Sequence, residues 1–165
     1  MKKIKIILLL SILVSCGSSN NDDNQYSKIN VTTEITNTEK RWEEFTVKAL
    51  GNTMSEMKFD ISNISVSEGS WVRITLINEG VGAAMLHNIV FVNYGTRKEV
   101  GLQSIDAGPE KQFVPENENV IAYSDLAKPG EIVILEFKAP EKGNYEFICS
   151  YPGHSEIMRG YFFVK

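Results

Sequence analysis

The stretch Ser70-Trp-Val-Arg-Ile-Thr-Leu-Ile-Asn78 alternates without a break: Trp71, Arg73 and Thr75 fall on one face, Val72, Ile74 and Leu76 on the other. Successive side chains of a strand point to opposite sides, so this pattern predicts a β-strand with one face in a core. Its β-branched residues suit a pleated, half-buried surface. The pattern recurs outward from there. Residues 131–138 set Ile132, Ile134 and Glu136 against Val133, Leu135 and Phe137. Residues 57–61 alternate, with Ile64 and Val66 continuing them, and residues 87–92, 145–149 and 160–164 supply three more short strands. Glu68-Gly69, Asn78-Glu79-Gly80, Lys128-Pro129-Gly130 and Lys142-Gly143-Asn144 separate them as turns. Many short strands at this spacing predict an all-β protein, an antiparallel Greek-key β-sandwich. Residues 95–119 are polar and poor in β-branched types, which predicts a short helical excursion.

The 165-residue chain has room for one domain of common size, and its 42% hydrophobic content excludes wholesale disorder. A net charge of −4 argues against a nucleic-acid partner. Two cysteines cannot staple a disulfide scaffold, and with two histidines they are the whole supply of thiol and imidazole.

The N-terminus reads as an address. Lys2, Lys3 and Lys5 precede an apolar run from Ile6 to Val14, too short to span a bilayer core that needs roughly 20 residues. The run therefore reads as a signal peptide over residues 1–15. Leu13-Val14-Ser15-Cys16 looks like a bacterial lipobox, which makes Cys16 the lipidated first residue of the mature chain and a membrane anchor. Residues 16–44 then form a tether rich in Ser, Asn, Asp and Thr, with a short helical turn over 39–45, and residues 45–165 form the domain.

Within the domain the informative segment is Cys149-Ser-Tyr-Pro-Gly-His154-Ser-Glu-Ile-Met158, a C-x4-H-x3-M spacing between two predicted strands. His87 stands far upstream at a strand start. Each has an ordinary reading: a core thiol, a solvated histidine, a packed methionine. Taken together, two imidazoles, a thiolate and a thioether make a ligand set that suits copper better than zinc, whose closed sites use only Cys and His. A His2Cys plane with a weak axial Met is the arrangement of blue-copper electron-transfer sites. Thiolate and imidazole serve both Cu(I) and Cu(II), so such a cage need not rearrange when an electron arrives. A copper oxidase or reductase needs further histidines, and none is left over.

These residues resemble the azurins, and more broadly the cupredoxin family of blue-copper proteins. Azurins carry C-T-F-P-G-H-S-x-x-M-K-G where residues 149–160 read C-S-Y-P-G-H-S-E-I-M-R-G, and M-G-H-N-W-V where residues 85–90 read M-L-H-N-I-V. Val120-Ile121-Ala122, and Gly51-Asn52 followed by Met57-Lys58-Phe59, are similar to azurin segments as well. The resemblance covers the whole predicted domain. It implies a cupredoxin-like sandwich holding one type 1 copper ion, with His87, Cys149 and His154 as equatorial ligands and Met158 as the weak axial one. It implies that Asn88 and Ser150 tie the ligand segments together, and that backbone N–H groups of Asn88 and Tyr151 face the cysteine sulfur. In place of the family's glycine, whose carbonyl is a distant fifth ligand, stands Leu86, which puts that contact in question. Tyr151 replaces a phenylalanine, and the family's structural disulfide is missing.

The resemblance further implies that the loop histidine shows its ring edge through an apolar patch, here Met85, Leu86, Pro152 and Gly153 with residues 81–84. A patch of this kind suits brief encounters with redox proteins such as c-type cytochromes or a terminal reductase or oxidase. The expected protein is a monomeric, non-enzymatic electron carrier, lipid-anchored on the periplasmic or outer-surface side of a bacterial cell envelope. A copper carrier or storage protein would use the same ligands and is the alternative.

Overall fold

The computed structural model describes residues 40–165, so the signal peptide, Cys16 and the tether up to residue 39 lie outside the described residues. Nine strands and one α-helix follow in order: β1 (Trp42–Leu50), β2 (Lys58–Phe59), β3 (Asn63–Val66), β4 (Trp71–Asn78), β5 (Val90–Asn93), α1 (Arg97–Ala107), β6 (Val120–Tyr123), β7 (Ile132–Lys138), β8 (Gly143–Ile148) and β9 (Arg159–Val164). They form two sheets, ordered β2-β1-β4-β7 and β3-β9-β8-β5-β6. The architecture is the expected mostly-β sandwich with one short helix.

Two pairings are parallel, β1 with β4 and β3 with β9, and the other strand pairs run antiparallel. Of the helical turn expected over 39–45, residues 40–45 are described and form none; β1 begins at Trp42 and runs beside β4 from Trp42↔Trp71 to Ala49↔Asn78. Helix-forming Glu43 and Glu44 yield there to eight residues of ladder and to the packing of Trp42 against Trp71, tilted by 43° with 5.6 Å between ring centroids. Tertiary pairing outweighs local propensity.

Between the sheets lie Val47, Val72, Ile74 and Leu76 from one side and Ile64, Phe147 and Phe162 from the other, all at most 1% exposed. Phe91 stands among Phe137, Phe162 and Phe147, at centroid separations of 4.8, 4.9 and 5.8 Å. Gly160 lets β9 pass this cluster, since a Cβ there would sit 2.2 Å from the Phe147 ring and 2.6 Å from the Ser62 carbonyl. The strand expected over residues 87–92 is β5, Val90–Asn93, preceded by His87 in an isolated bridge to Ala127, and its apolar run is unbroken because both faces are covered. Phe91 faces the sandwich, while Val90 and Val92 pack with Val100 of α1, Val114 and Ile148. The excursion thus caps the outer face of the second sheet. It also places α1 beside the pole where β5 begins and β8 ends.

Candidate metal centre

Three chain segments meet at that pole. Asn78, buried at the end of β4, donates from Nδ2 to the carbonyls of Met85 (2.7 Å) and Ala127 (2.9 Å). It thereby fixes the loop leading to His87. His87 is held in turn by a two-way bridge to Ala127, N–H to carbonyl at 3.1 and 2.7 Å. Cys149 follows the last residue of β8, and its N–H donates to the Met158 carbonyl at 2.9 Å. A tight turn brings the chain back, with the N–H of His154 donating to Tyr151 (3.0 Å) and that of Met158 to His154 (2.8 Å). One short segment therefore presents a thiol, an imidazole and a thioether, and the second imidazole comes from the residues that lead into the neighbouring strand β5.

The donor atoms converge. His87 Nδ1 and His154 Nδ1 are 3.3 Å apart, and Cys149 Sγ lies 3.8 and 3.7 Å from them. Nitrogen and sulfur ligands stand about 2.0–2.1 and 2.3 Å from a first-row divalent ion, which spaces N···N at about 3.5 and S···N at about 3.8 Å in a trigonal plane, or about 3.3 and 3.6 Å in a tetrahedron. The observed triangle falls within this range, so the residues fit an ion at its centre. His87, Cys149 and Met158 are 0% exposed and His154 is 2% exposed. His87 Nε2 is buried without a hydrogen-bond partner.

Burial sets the charge state of the metal-free donors. It pushes the Cys149 thiol up to about 12, against the opposing N–H···S bonds from the Asn88 and Tyr151 backbone. It lowers His87 to about 4, helped by the neighbouring His154, and lowers His154 to about 4 as well. A protonated thiol and two neutral imidazoles are a poor use of a buried pole by themselves. They become a good one when a cation replaces the thiol proton.

Asn88 and Ser150 lock the two ligand segments together. The Asn88 Oδ1 accepts the Ser150 N–H at 2.9 Å, while its Nδ2 donates to Ser150 Oγ (2.9 Å) and to the Gln112 carbonyl (3.0 Å). The Tyr151 ring packs on His154 and Phe113, 4.8 and 5.0 Å between centroids. Gln112 and Phe113, both at positive φ (56° and 57°), and Asn78 escaped the sequence reading, because nothing local distinguishes them from ordinary loop residues. Asn88→Ala is expected to cost about 1–3 kcal/mol, since it strands the buried Ser150 N–H. Denaturant unfolding of the metal-free domain measures it.

The surface around His154 differs from expectation at two places, the first being His154 itself, which at 2% exposed lies just beneath the surface instead of showing its ring edge. Met85 is 7% exposed, tucked under Gly80 and Gly82, and so lies beneath the patch. Leu86 and Pro152 are half-buried, Gly153, Ala83 and Ala84 are exposed, and Val81 is 78% exposed. Met54, missed in the sequence, is 48% exposed, and its Cε lies 3.4 Å from where a Gly153 Cβ would be.

A buried His2Cys triangle with an adjoining methionine, at one pole of a β-sandwich, defines a mononuclear copper protein of the type 1 kind. Residues 45–165 match the copper-binding plastocyanin/azurin family, and the chain belongs to that family. It is 34% identical to auracyanin-A of Chloroflexus aurantiacus over 114 residues, covering 67% of this chain and 69% of the relative. An azurin of Methylobacillus flagellatus is 34% identical over 82 residues, 47% of this chain and 55% of the relative. Outer membrane protein H.8 of Neisseria meningitidis is 31% identical over 110 residues, 63% and 60%. The solved auracyanin A, a blue copper protein, superimposes with a TM-score of 0.67 at 31% identity, covering 75% of this chain and 99% of that one.

Proposed function

We propose that this chain is a lipid-tethered electron carrier of the bacterial cell envelope, anchored through Cys16 and exchanging electrons between redox proteins such as c-type cytochromes and a terminal reductase or oxidase. The observation that carries this reading is the buried convergence of His87, Cys149 and His154, with Met158 on the same loop. A bound copper ion would supply the Cu(II)/Cu(I) couple. The chain's own residues do the rest. The hydrogen bonds of Asn88 hold the ligand segments at fixed spacing, so that little reorganises between oxidation states. N–H groups of Asn88 and Tyr151 favour the thiolate, a second layer of contacts that tunes a metal site. Burial of all four side chains excludes water and substrate. Likeness to an outer membrane protein supports the envelope assignment. Among the described residues no helix is long and apolar enough to cross a membrane.

The electron would leave through His154, which lies just under the surface formed by Val81, Ala84, Leu86, Pro152 and Gly153. A charge placed there, Ala84→Asp or Leu86→Asp, is expected to slow electron transfer to a cytochrome by about tenfold through lost apolar contact, with the copper spectrum unchanged. Stopped-flow mixing checks this, and an unchanged rate removes the patch from the mechanism. Voltammetry on the loaded protein tests the function itself. An electron carrier cycles reversibly with its copper retained, whereas a copper carrier surrenders the metal to a chelator in one oxidation state.

A further inference from the structure

The excursion does more than cover the second sheet, because α1 is laid directly on the loop that carries His154 and Met158. Two contacts make the junction. Arg97, at the first position of the helix, donates from Nη1 to Glu156 Oε2 at 2.9 Å, and its Nε lies 3.3 Å from Glu146 Oε1. Glu146 is 6% exposed, also accepts the Gly95 N–H at 2.8 Å, and sits on β8 three residues before Cys149. Glu156 lies between His154 and Met158. One guanidinium thus joins the strand that ends in the cysteine to the loop that holds the other two donors.

The second contact is one turn along the helix. Gly101 faces Ser155, and a Cβ on Gly101 would stand 2.4 Å from Ser155 Oγ and 2.9 Å from its Cβ. Only a residue without a side chain lets the helix approach this closely. Ser155 and Glu156 are the residues next after His154, so both contacts act on the arc between ligands. Asn88 and Ser150 brace the cysteine side of the site; this junction braces the opposite side.

We propose that helix α1 is a clamp that holds the 154–158 segment at ligand spacing in the absence of metal, with Arg97, Gly101, Ser155 and Glu156 as positioning residues. A planar guanidinium can serve two carboxylates at once, which an ammonium at the same place cannot. The clamp rests on the copper reading only for its effect on a loaded site; its hold on the loop is tested without metal.

Hydrogen exchange of the metal-free protein reads the Ile157 and Met158 amides, both of which donate to the His154 carbonyl, at 3.0 and 2.8 Å. Glu156→Gln breaks the loop end of the clamp alone, because the buried Glu146 keeps its cation. It is expected to speed exchange at these two amides by about two- to fivefold, the span of an exposed pair. Gly101→Ala, which overpacks the junction, should speed it by about tenfold. Glu156→Asp, which keeps the charge, should restore part of the protection. In the copper-loaded protein both loosening variants should shift the reduction potential and the EPR spectrum while the melting temperature of Glu156→Gln stays at the wild-type value. Exchange unchanged at Ile157 and Met158, or raised evenly over the whole domain, overturns the clamp. A shift in exchange with no change in the loaded spectra overturns its role in positioning ligands.

Discussion

Replacing Phe91 by alanine is expected to destabilise the metal-free domain by about 3–5 kcal/mol, the cost of a deleted core aromatic. The ring is fully buried and lies within 5 Å of Phe137 and Phe162, one from each sheet. It is therefore a principal contact between the two layers, and no neighbour can collapse into the space without leaving another gap. A domain of this size has about 5–15 kcal/mol of stability in all. The variant should therefore unfold well below the wild-type temperature or at a much lower denaturant concentration, with copper recovering part of the loss by mass action. A loss under about 1 kcal/mol would mean that the aromatic cluster is not where the sandwich draws its stability.

Loading copper at pH 7 is expected to release about one proton per ion, all of it from Cys149. The sign follows from the buried donors. With its pKa pushed up to about 12, the thiol is protonated in the metal-free fold, whereas both imidazoles, lowered to about 4, are already neutral. Titration in weak buffer counts the protons; none, or two, would show different starting states. The same shifts shape the stability of the metal-free domain. Histidines that resist protonation in the fold but accept it when unfolded remove stability as the pH falls from 6.5 towards about 4. A thiol that resists ionisation in the fold removes it as the pH rises from 9 towards about 12. The metal-free domain should thus be most stable between these windows. Metal fixes the thiolate and the neutral imidazoles, so it should remove the alkaline loss, while the stability it adds should shrink as the pH falls and protons compete for the donors.

How much of this was written in the sequence depends on the range of each signal. Alternation in residues 70–78 and 131–138 marked β4 and β7, because each has one face in the core and one in water. The Cys149–Met158 segment was legible because its three donors lie on ten consecutive residues. His87 needed only to be the remaining imidazole. The reading stopped where partners are distant. Alternation says nothing of strand direction, so the parallel pairs β1–β4 and β3–β9 were invisible, and a helical turn was expected over 39–45 where Trp42 packs against Trp71. The excursion was visible as a break in rhythm, but its placement against the ligand loop was not. Asn78, Gln112 and Met54 gain their roles only through folding; Gln112 meets Asn88 from 24 residues away. The resemblance placed Met85 in the surface patch, but it packs beneath two glycines of the same loop.

Visible absorption and EPR of the protein carrying one equivalent of cupric ion test the central claim most directly. Sulfur-to-copper charge transfer through Cys149 predicts an intense blue band that saturates at one ion per chain. It also predicts that Cys149→Ser abolishes the band, although the two imidazoles remain. A wild-type protein that stays colourless, or a serine variant that keeps the blue, would contradict the site.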